Sequence, residues 1–302
     1  MRKTVLFIFI YFAICLMIPY FVTMLMGGSC RGNKAGEAAN AVVATKDIES
    51  EITDVTDYTI RTVAAYYKAG DSAEFLKALA IVARTYSNIT KGDGTGEASA
   101  AMVPDTLTYS KMQEKWGEYY PAYYEAISTA VQDTEGIIMT MEDGQMLPYF
   151  CEVSAGYTRS IGDSCLVMTG CSEDLKSKDY LSMVSFTQSE VAARISKKYD
   201  SFQYNDKLSD SFQIISRDEA GYITSIMVGN LTMSGDEFAR LMELNSGNFM
   251  ISAEGENITF TVKGVGCGYG MSLYTARQKA AAGAGYEEIL YYFYKNIELT
   301  SE

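Results

Sequence analysis

The stretch GVGCGYGMSLYTA, Gly264 to Ala276, sets glycine at every second position and then turns apolar and helix-forming. Glycine at Gly264, Gly266, Gly268 and Gly270 leaves a backbone free to take positive φ and to accept a close neighbour, such as a flat polymer. The spacing is not G-x-G-x-x-G and no G-K-[ST] follows, so a nucleotide-phosphate cradle is a weak reading. Upstream, ITFTVKG (258–264) reads as a strand leading into the run. Downstream, Met271 to Gly283 and Tyr286 to Tyr294 read as helices.

Working outward, the rest of the body alternates helix and strand signals. Asp57 to Lys68 sets Ile60, Val63, Ala64 and Tyr67 on one helical face. A second helix follows, with Leu76, Leu79, Val82 or Ala83, Tyr86 and Ile89 at helical spacing, and Asp71 with Glu74 reads as its capping box. Helix signals return from Tyr123 to Asp133. IIMTM, EDGQ and MLPYFCEV (137–153) read as a hairpin turning at Asp143-Gly144, and FQIISRDEAGYITSIMV (212–228) as another turning at 219–221. TQSEVAARISKKY from Thr187 and SGDEFARLMEL from Ser234 read as short helices. Strand pairs interleaved with helices, without regular βαβ spacing, predict an α+β fold with a mixed, largely antiparallel sheet and packed helices.

The N-terminus differs in kind. Thr4 to Met26 carries no charge and follows Arg2 and Lys3. As a helix at about 1.5 Å per residue it spans roughly 35 Å, the length of a bilayer crossing with some tilt. Residues 1–31 therefore read as one transmembrane anchor, residues 32–50 as a small, polar stalk, and residues 51–302 as the folded body. The basic flank places the body outside the membrane, although Arg31 and Lys34 on the other side nearly balance it.

Composition narrows the chemistry. A formal net charge of −13 excludes nucleic-acid partners, which require a basic face. The chain has no histidine, which removes Ser-His-Asp and Cys-His triads and histidine-bearing zinc motifs. Carboxylates, tyrosines or thiols must carry any protons. Four of the six cysteines, Cys151, Cys165, Cys171 and Cys267, fall in the body without a C-x-x-C pair. Cys165 and Cys171, close together in a polar stretch, are expected to be bridged; free buried thiols and a four-thiolate zinc site are the other readings, and zinc is not favoured.

Four blocks, in order, resemble one family. FLKALAIVARTYS (75–87), TEGIIMTMEDGQMLPYFCEVSAGYTRS (134–160), SGDEFARLMELNSGNFMI (234–251) and GVGCGYGMSLYTARQKAAAGAGYEEILYYFY (264–294) are similar to segments of the stage II sporulation protein D / amidase-enhancer family. The resemblance implies a membrane-anchored cell-wall protein acting outside the cytoplasm on peptidoglycan glycan strands during sporulation. It further implies lytic transglycosylase chemistry, with an N-acetylmuramoyl-L-alanine amidase and a membrane scaffold as partners. No cofactor is expected, although some members bind zinc. The family's general acid/base is one glutamate ahead of the second helix. In the gap-free alignment of VAAYYKAGDSAEFLKALAIVARTY, Tyr66 occupies that place. A phenol donates a proton but is a poor base at neutral pH, so the expected protein is a degenerate, glycan-binding member; an active transglycosylase is the alternative.

By the same resemblance Arg84, Ser154, Gly156, Thr158, Gly266, Cys267, Gly268, Gly270 and Ser272 are candidate substrate-binding residues. From the residues alone, Arg84 reads equally as a paired surface arginine, and Ser154, Gly156 and Thr158 as turn-shaping. Glu74 reads most simply as a capping glutamate, and YYFY (291–294) as core rather than a sugar platform.

Overall fold

The computed structural model of the chain describes residues 54–93, 103–141, 147–162 and 164–301. The expected anchor, the stalk and the Asp143-Gly144 turn lie outside the described residues. Among the described residues no helix is long and apolar enough to cross a membrane.

Helix α1 (Val55–Tyr66) starts where the Asp54 carboxylate accepts the N–H of Thr56, and stops where Tyr67 turns extended. Helix α2 (Ala73–Asp93) runs through the middle of the helical half. Helices α1, α4 (Tyr120–Asp133), α7 (Leu273–Ala281) and α8 (Tyr286–Phe293) pack around it. Its residues Phe75, Leu76, Ala78, Leu79, Ala80, Ile81, Val82 and Ala83 are consequently all buried, rather than one stripe of them. The alanines leave room for four neighbours at once.

The expected Asp71–Glu74 capping box does not form. Ser72 Oγ accepts the N–H of Phe75 at 3.3 Å instead. Asp71 accepts the Lys68 N–H at 2.9 Å, and Glu74 Oε2 accepts the N–H of Tyr286 at 2.9 Å. Glu74 thus caps α8, a helix that starts some two hundred residues later. Helix α3 (Tyr109–Trp116) escaped the sequence reading, and α4 starts one turn before the predicted Tyr123 with a proline in its first turn.

Two antiparallel three-stranded sheets build the other half. One has the order β3 (Leu181–Thr187), β8 (Asn257–Lys263), β7 (Phe249–Glu254). The second runs β4 (Phe212–Arg217), β5 (Ile223–Val228), β6 (Leu231–Met233), and its β4–β5 hairpin is the predicted one. Helices α5 (Gln188–Ser196) and α6 (Gly235–Met242) contribute Val191, Ile195, Phe238, Ala239 and Met242 to the core beneath the sheets. Thr187 and Glu190 form a capping box on α5, and Ser234 caps α6. The rings of Phe238, Phe249 and Phe260 lie 5.4–5.8 Å apart. Full burial of each contributes about 1.5–3 kcal/mol.

The other predicted hairpin is not formed. Strand β1 (Ile137–Thr140) pairs antiparallel with β10 (Glu298–Ser301) at the C-terminus. Strand β2 (Phe150–Cys151) pairs parallel with β9 (Met271–Ser272), immediately after the glycine run. The architecture is α+β with antiparallel sheets and packed helices, as the sequence predicts, and β2–β9 adds a parallel pair.

Candidate functional site

The glycine run leaves β8 and crosses to β9 along segment 149–159. Val265 and Val153 exchange two main-chain hydrogen bonds, at 2.7 and 3.2 Å, and the Gly268 carbonyl accepts from the Arg159 N–H at 2.8 Å. The four glycines all have positive φ. A Cβ on Gly268 would stand 2.4 Å from the Tyr222 ring, and one on Gly270 only 1.8 Å from the Tyr149 carbonyl oxygen. The close approach that the bare backbone permits is therefore made, at these two positions, by the protein's own chain.

Two buried polar groups fix this crossing, and neither was legible as such in the sequence. The Arg159 guanidinium, 4% exposed, binds Asp218 at 2.6 Å and Asp236 at 2.8 Å. It also donates to the Cys267 carbonyl at 3.2 Å and lies between the rings of Tyr222 and Tyr269. The Asp174 carboxylate, wholly buried, accepts the Ser154 N–H at 2.7 Å, the Ser272 hydroxyl at 2.8 Å and the Thr275 hydroxyl at 2.7 Å. It ties segment 149–159 to the first turn of α7.

Beside the crossing opens a cleft of about 250 Å³. The end of α1 supplies Tyr66, segment 149–152 supplies Tyr149, Phe150, Cys151 and Glu152, and the glycine run supplies Val265, Gly266 and Cys267; Val103, Pro104 and Asp105 close the remaining side. The Tyr66 hydroxyl accepts the N–H of Asp105 at 3.0 Å, and its ring stands edge-on to Phe150 at 4.9 Å. Burial pushes the phenol up to about 12, so it stays protonated at neutral pH. Arg277 of α7 holds the Tyr66 carbonyl from behind.

The Cys267 thiol is half-buried, faces the Phe150 carbonyl at 3.7 Å and is raised by burial to about 11. Cys151 is fully buried and raised as well, so neither is a nucleophile at neutral pH. Glu152 is the half-exposed carboxylate of the cleft, with Lys68 Nζ 4.0 Å away. Two phenols (Tyr66 and Tyr149), two carboxylates (Asp105 and Glu152), thiols and aromatic edges around one concavity suit a hydroxyl-rich ligand.

Of the residues singled out from sequence, Tyr66, Gly266 and Cys267 line this cleft. Arg84 does not: its guanidinium is buried and donates to the carbonyls of Val131 at 2.9 Å and Ile137 at 3.0 Å, where it closes the end of α4. Ser154 is buried with its hydroxyl accepting the Gly156 N–H at 3.2 Å, and the Gly156 carbonyl accepts from Cys171. The Thr158 hydroxyl bonds Val167 and Thr169. Ser272 caps α7 and donates to Asp174. These residues serve the fold's own hydrogen bonds and do not line the cleft. Glu152 and Asp105 were missed. Glu152 adjoins Cys151 in a motif that the sequence already marks, whereas Asp105 sits in a loop with no signal.

The expected Cys165–Cys171 disulfide is not formed. Both are buried thiols, raised by burial to about 12, and Cys171 Sγ lies 3.5 Å from the Thr169 carbonyl. Among the described residues no three His, Cys, Asp or Glu side chains converge in a metal-holding group.

Comparison with known proteins gives one answer. Residues 38–141 match the family model described as Stage II sporulation protein. The chain is 26% identical to the Stage II sporulation protein D of Bacillus subtilis (strain 168), over 88% of its own length and 80% of that protein. It is 25% identical to the protein of the same name from Bacillus amyloliquefaciens, over 86% of its own length and 78% of the relative. With the ordered motifs, these matches show that the chain is similar to stage II sporulation protein D over most of its length.

Proposed function

We propose that this sporulation-related protein is a membrane-anchored cell-wall protein whose body, outside the membrane, binds peptidoglycan glycan strands in the Tyr66–Glu152–Cys267 cleft and cleaves them little or not at all. The observation that carries the reading is Tyr66. A phenol raised to about 12 by burial, with its oxygen accepting the Asp105 N–H, occupies the position that the gap-free alignment gives to the family's glutamate. It is a proton donor without a working conjugate base near neutral pH. General acid–base assistance is commonly worth ~10²–10⁴-fold, so its loss leaves slow residual turnover at most. A binding role of this kind positions the strand for a partner N-acetylmuramoyl-L-alanine amidase, held by a membrane scaffold.

The test uses full-length protein in detergent and peptide-free glycan strands. Cosedimentation reads binding, and mass spectrometry reads 1,6-anhydromuramic ends. The expected result is binding with few anhydro ends, and a clear rise in those ends for Tyr66→Glu at similar affinity. No binding by the unmodified protein would overturn the proposal. A second reading, an active transglycosylase, is favoured by one observation: the Glu152 carboxylate lies in the same cleft. Robust cleavage that survives Tyr66→Phe and disappears in Glu152→Gln would establish it.

A further inference from the structure

A second concavity, of about 660 Å³, lies against the β4–β5–β6 sheet and shares no lining residue with the first. Its walls are the loop 203–206, the start of β4 and the β5–β6 turn at Gly229-Asn230. These walls are locked together. Asn230 Oδ1 accepts the Gln203 N–H at 2.8 Å, Asn230 Nδ2 donates to the Ser201 carbonyl at 2.8 Å, and the Asn230 N–H donates to the Gln203 carbonyl at 3.0 Å. Gly229, at φ +58, lies so close that a Cβ there would be 2.2 Å from the Gln203 oxygen. The concavity is thus preformed rather than a gap between loose loops.

Its lining is mixed, with Phe212 and Met227 beside polar and acidic side chains. Tyr204 is 42% exposed, with its ring set 5.7 Å from that of Phe202. Around it stand the carboxamides of Gln203, Asn205 and Gln213 and the carboxylates of Asp206 and Asp210. No lysine or arginine among the described residues lines it, so a phosphate or carboxylate ligand would meet only negative charge. Apolar ligands would leave the amides and carboxylates without partners. A ligand with neighbouring hydroxyls and an apolar ring face satisfies all of these groups. Hydroxyls donate to carboxylates and accept from carboxamide N–H groups, and the ring face lies on the exposed aromatic.

We infer that this concavity is a binding site for a neutral saccharide, with Tyr204 as the stacking platform and Asn205, Gln213 and Asp210 as hydroxyl readers. It stands independently of the reading of the first cleft. The probe is the β-1,4-linked tetramer of N-acetylglucosamine, added to full-length protein in detergent. Hydrogen exchange read by mass spectrometry should slow over residues 201–213 and 226–231. Calorimetric affinity should fall about tenfold in Tyr204→Ala, an exposed position that leaves the fold intact, and also fall in Gln213→Ala. Protection confined to residues 149–152 and 264–267, indifferent to Tyr204→Ala, would overturn this site and leave the first cleft's role standing. No protection anywhere overturns it too, whatever longer strands do at the first cleft. Protection at 201–213 by calcium chloride alone, and not by the sugar, would make the concavity a cation site and overturn the inference.

Discussion

Arg277, on α7, donates its guanidinium to the main-chain carbonyl of Tyr66, the last residue of α1. The same group binds the Asp71 carboxylate at 2.7 Å, with both side chains nearly buried, and lies over the Phe75 ring. The position of the phenol in the cleft is therefore set by a residue more than two hundred positions away. Removing one partner of such a pair leaves a buried charge uncompensated. Arg277→Met is expected to cost roughly 3–5 kcal/mol in urea unfolding and to speed amide exchange at 66–71. A loss below about 1 kcal/mol would mean that the pair does not hold this corner.

Gly270 and Gly283 both have positive φ, but only Gly270 is crowded: a Cβ at Gly283 meets nothing within 4 Å. Gly283→Ala should cost only about 1 kcal/mol, the backbone penalty. Gly270→Ala must displace the Tyr149 carbonyl and should cost well over ~3 kcal/mol or abolish folding. Equal melting temperatures for the two variants would contradict the packing described for the run.

The raised thiols make a pH prediction. Cys267 is raised by burial from 9.0 to about 11. Its folded pKa lies above its unfolded one, so the stabilisation from keeping it neutral is complete below pH 9 and is lost as pH rises through about 11. At pH 8 the thiolate fraction is about one in a thousand, so iodoacetamide should label folded Cys267 slowly, about tenfold faster per pH unit up to pH 10. Rapid labelling at pH 7 would show that the thiol is not buried as described.

Asp174 should behave as a folding residue. Asp174→Ala leaves the Ser154 N–H and the Ser272 and Thr275 hydroxyls without their acceptor. The expected loss is roughly 3 kcal/mol in denaturant unfolding. Asp174→Asn keeps one oxygen acceptor and should lose less. An Asp174→Ala variant as stable as the parent would require these donors to find other partners.

Short-range signals are enough to place several local elements. The Thr187–Glu190 capping box, the Ser234 cap and the turn between β4 and β5 each depend on residues a few positions apart. The buried face of α1 and the belonging of α2 to the core were legible from spacing. The ordered glycine, serine and threonine motifs were legible too, and they pointed to the family. Where those groups are used depends on which distant segments meet. Glu74 had the right place for capping its own helix, yet α8 arrives with unsatisfied N–H groups and takes it. Segment 137–153 alternates like a hairpin, but β1 finds β10 and β2 finds β9, because pairing depends on which edges meet in space. The glycine run announced a close approach without naming the neighbour, which proved at Gly268 and Gly270 to be Tyr222 and Tyr149. Glycine records the absence of a side chain, and only the folded chain says what fills the space it leaves.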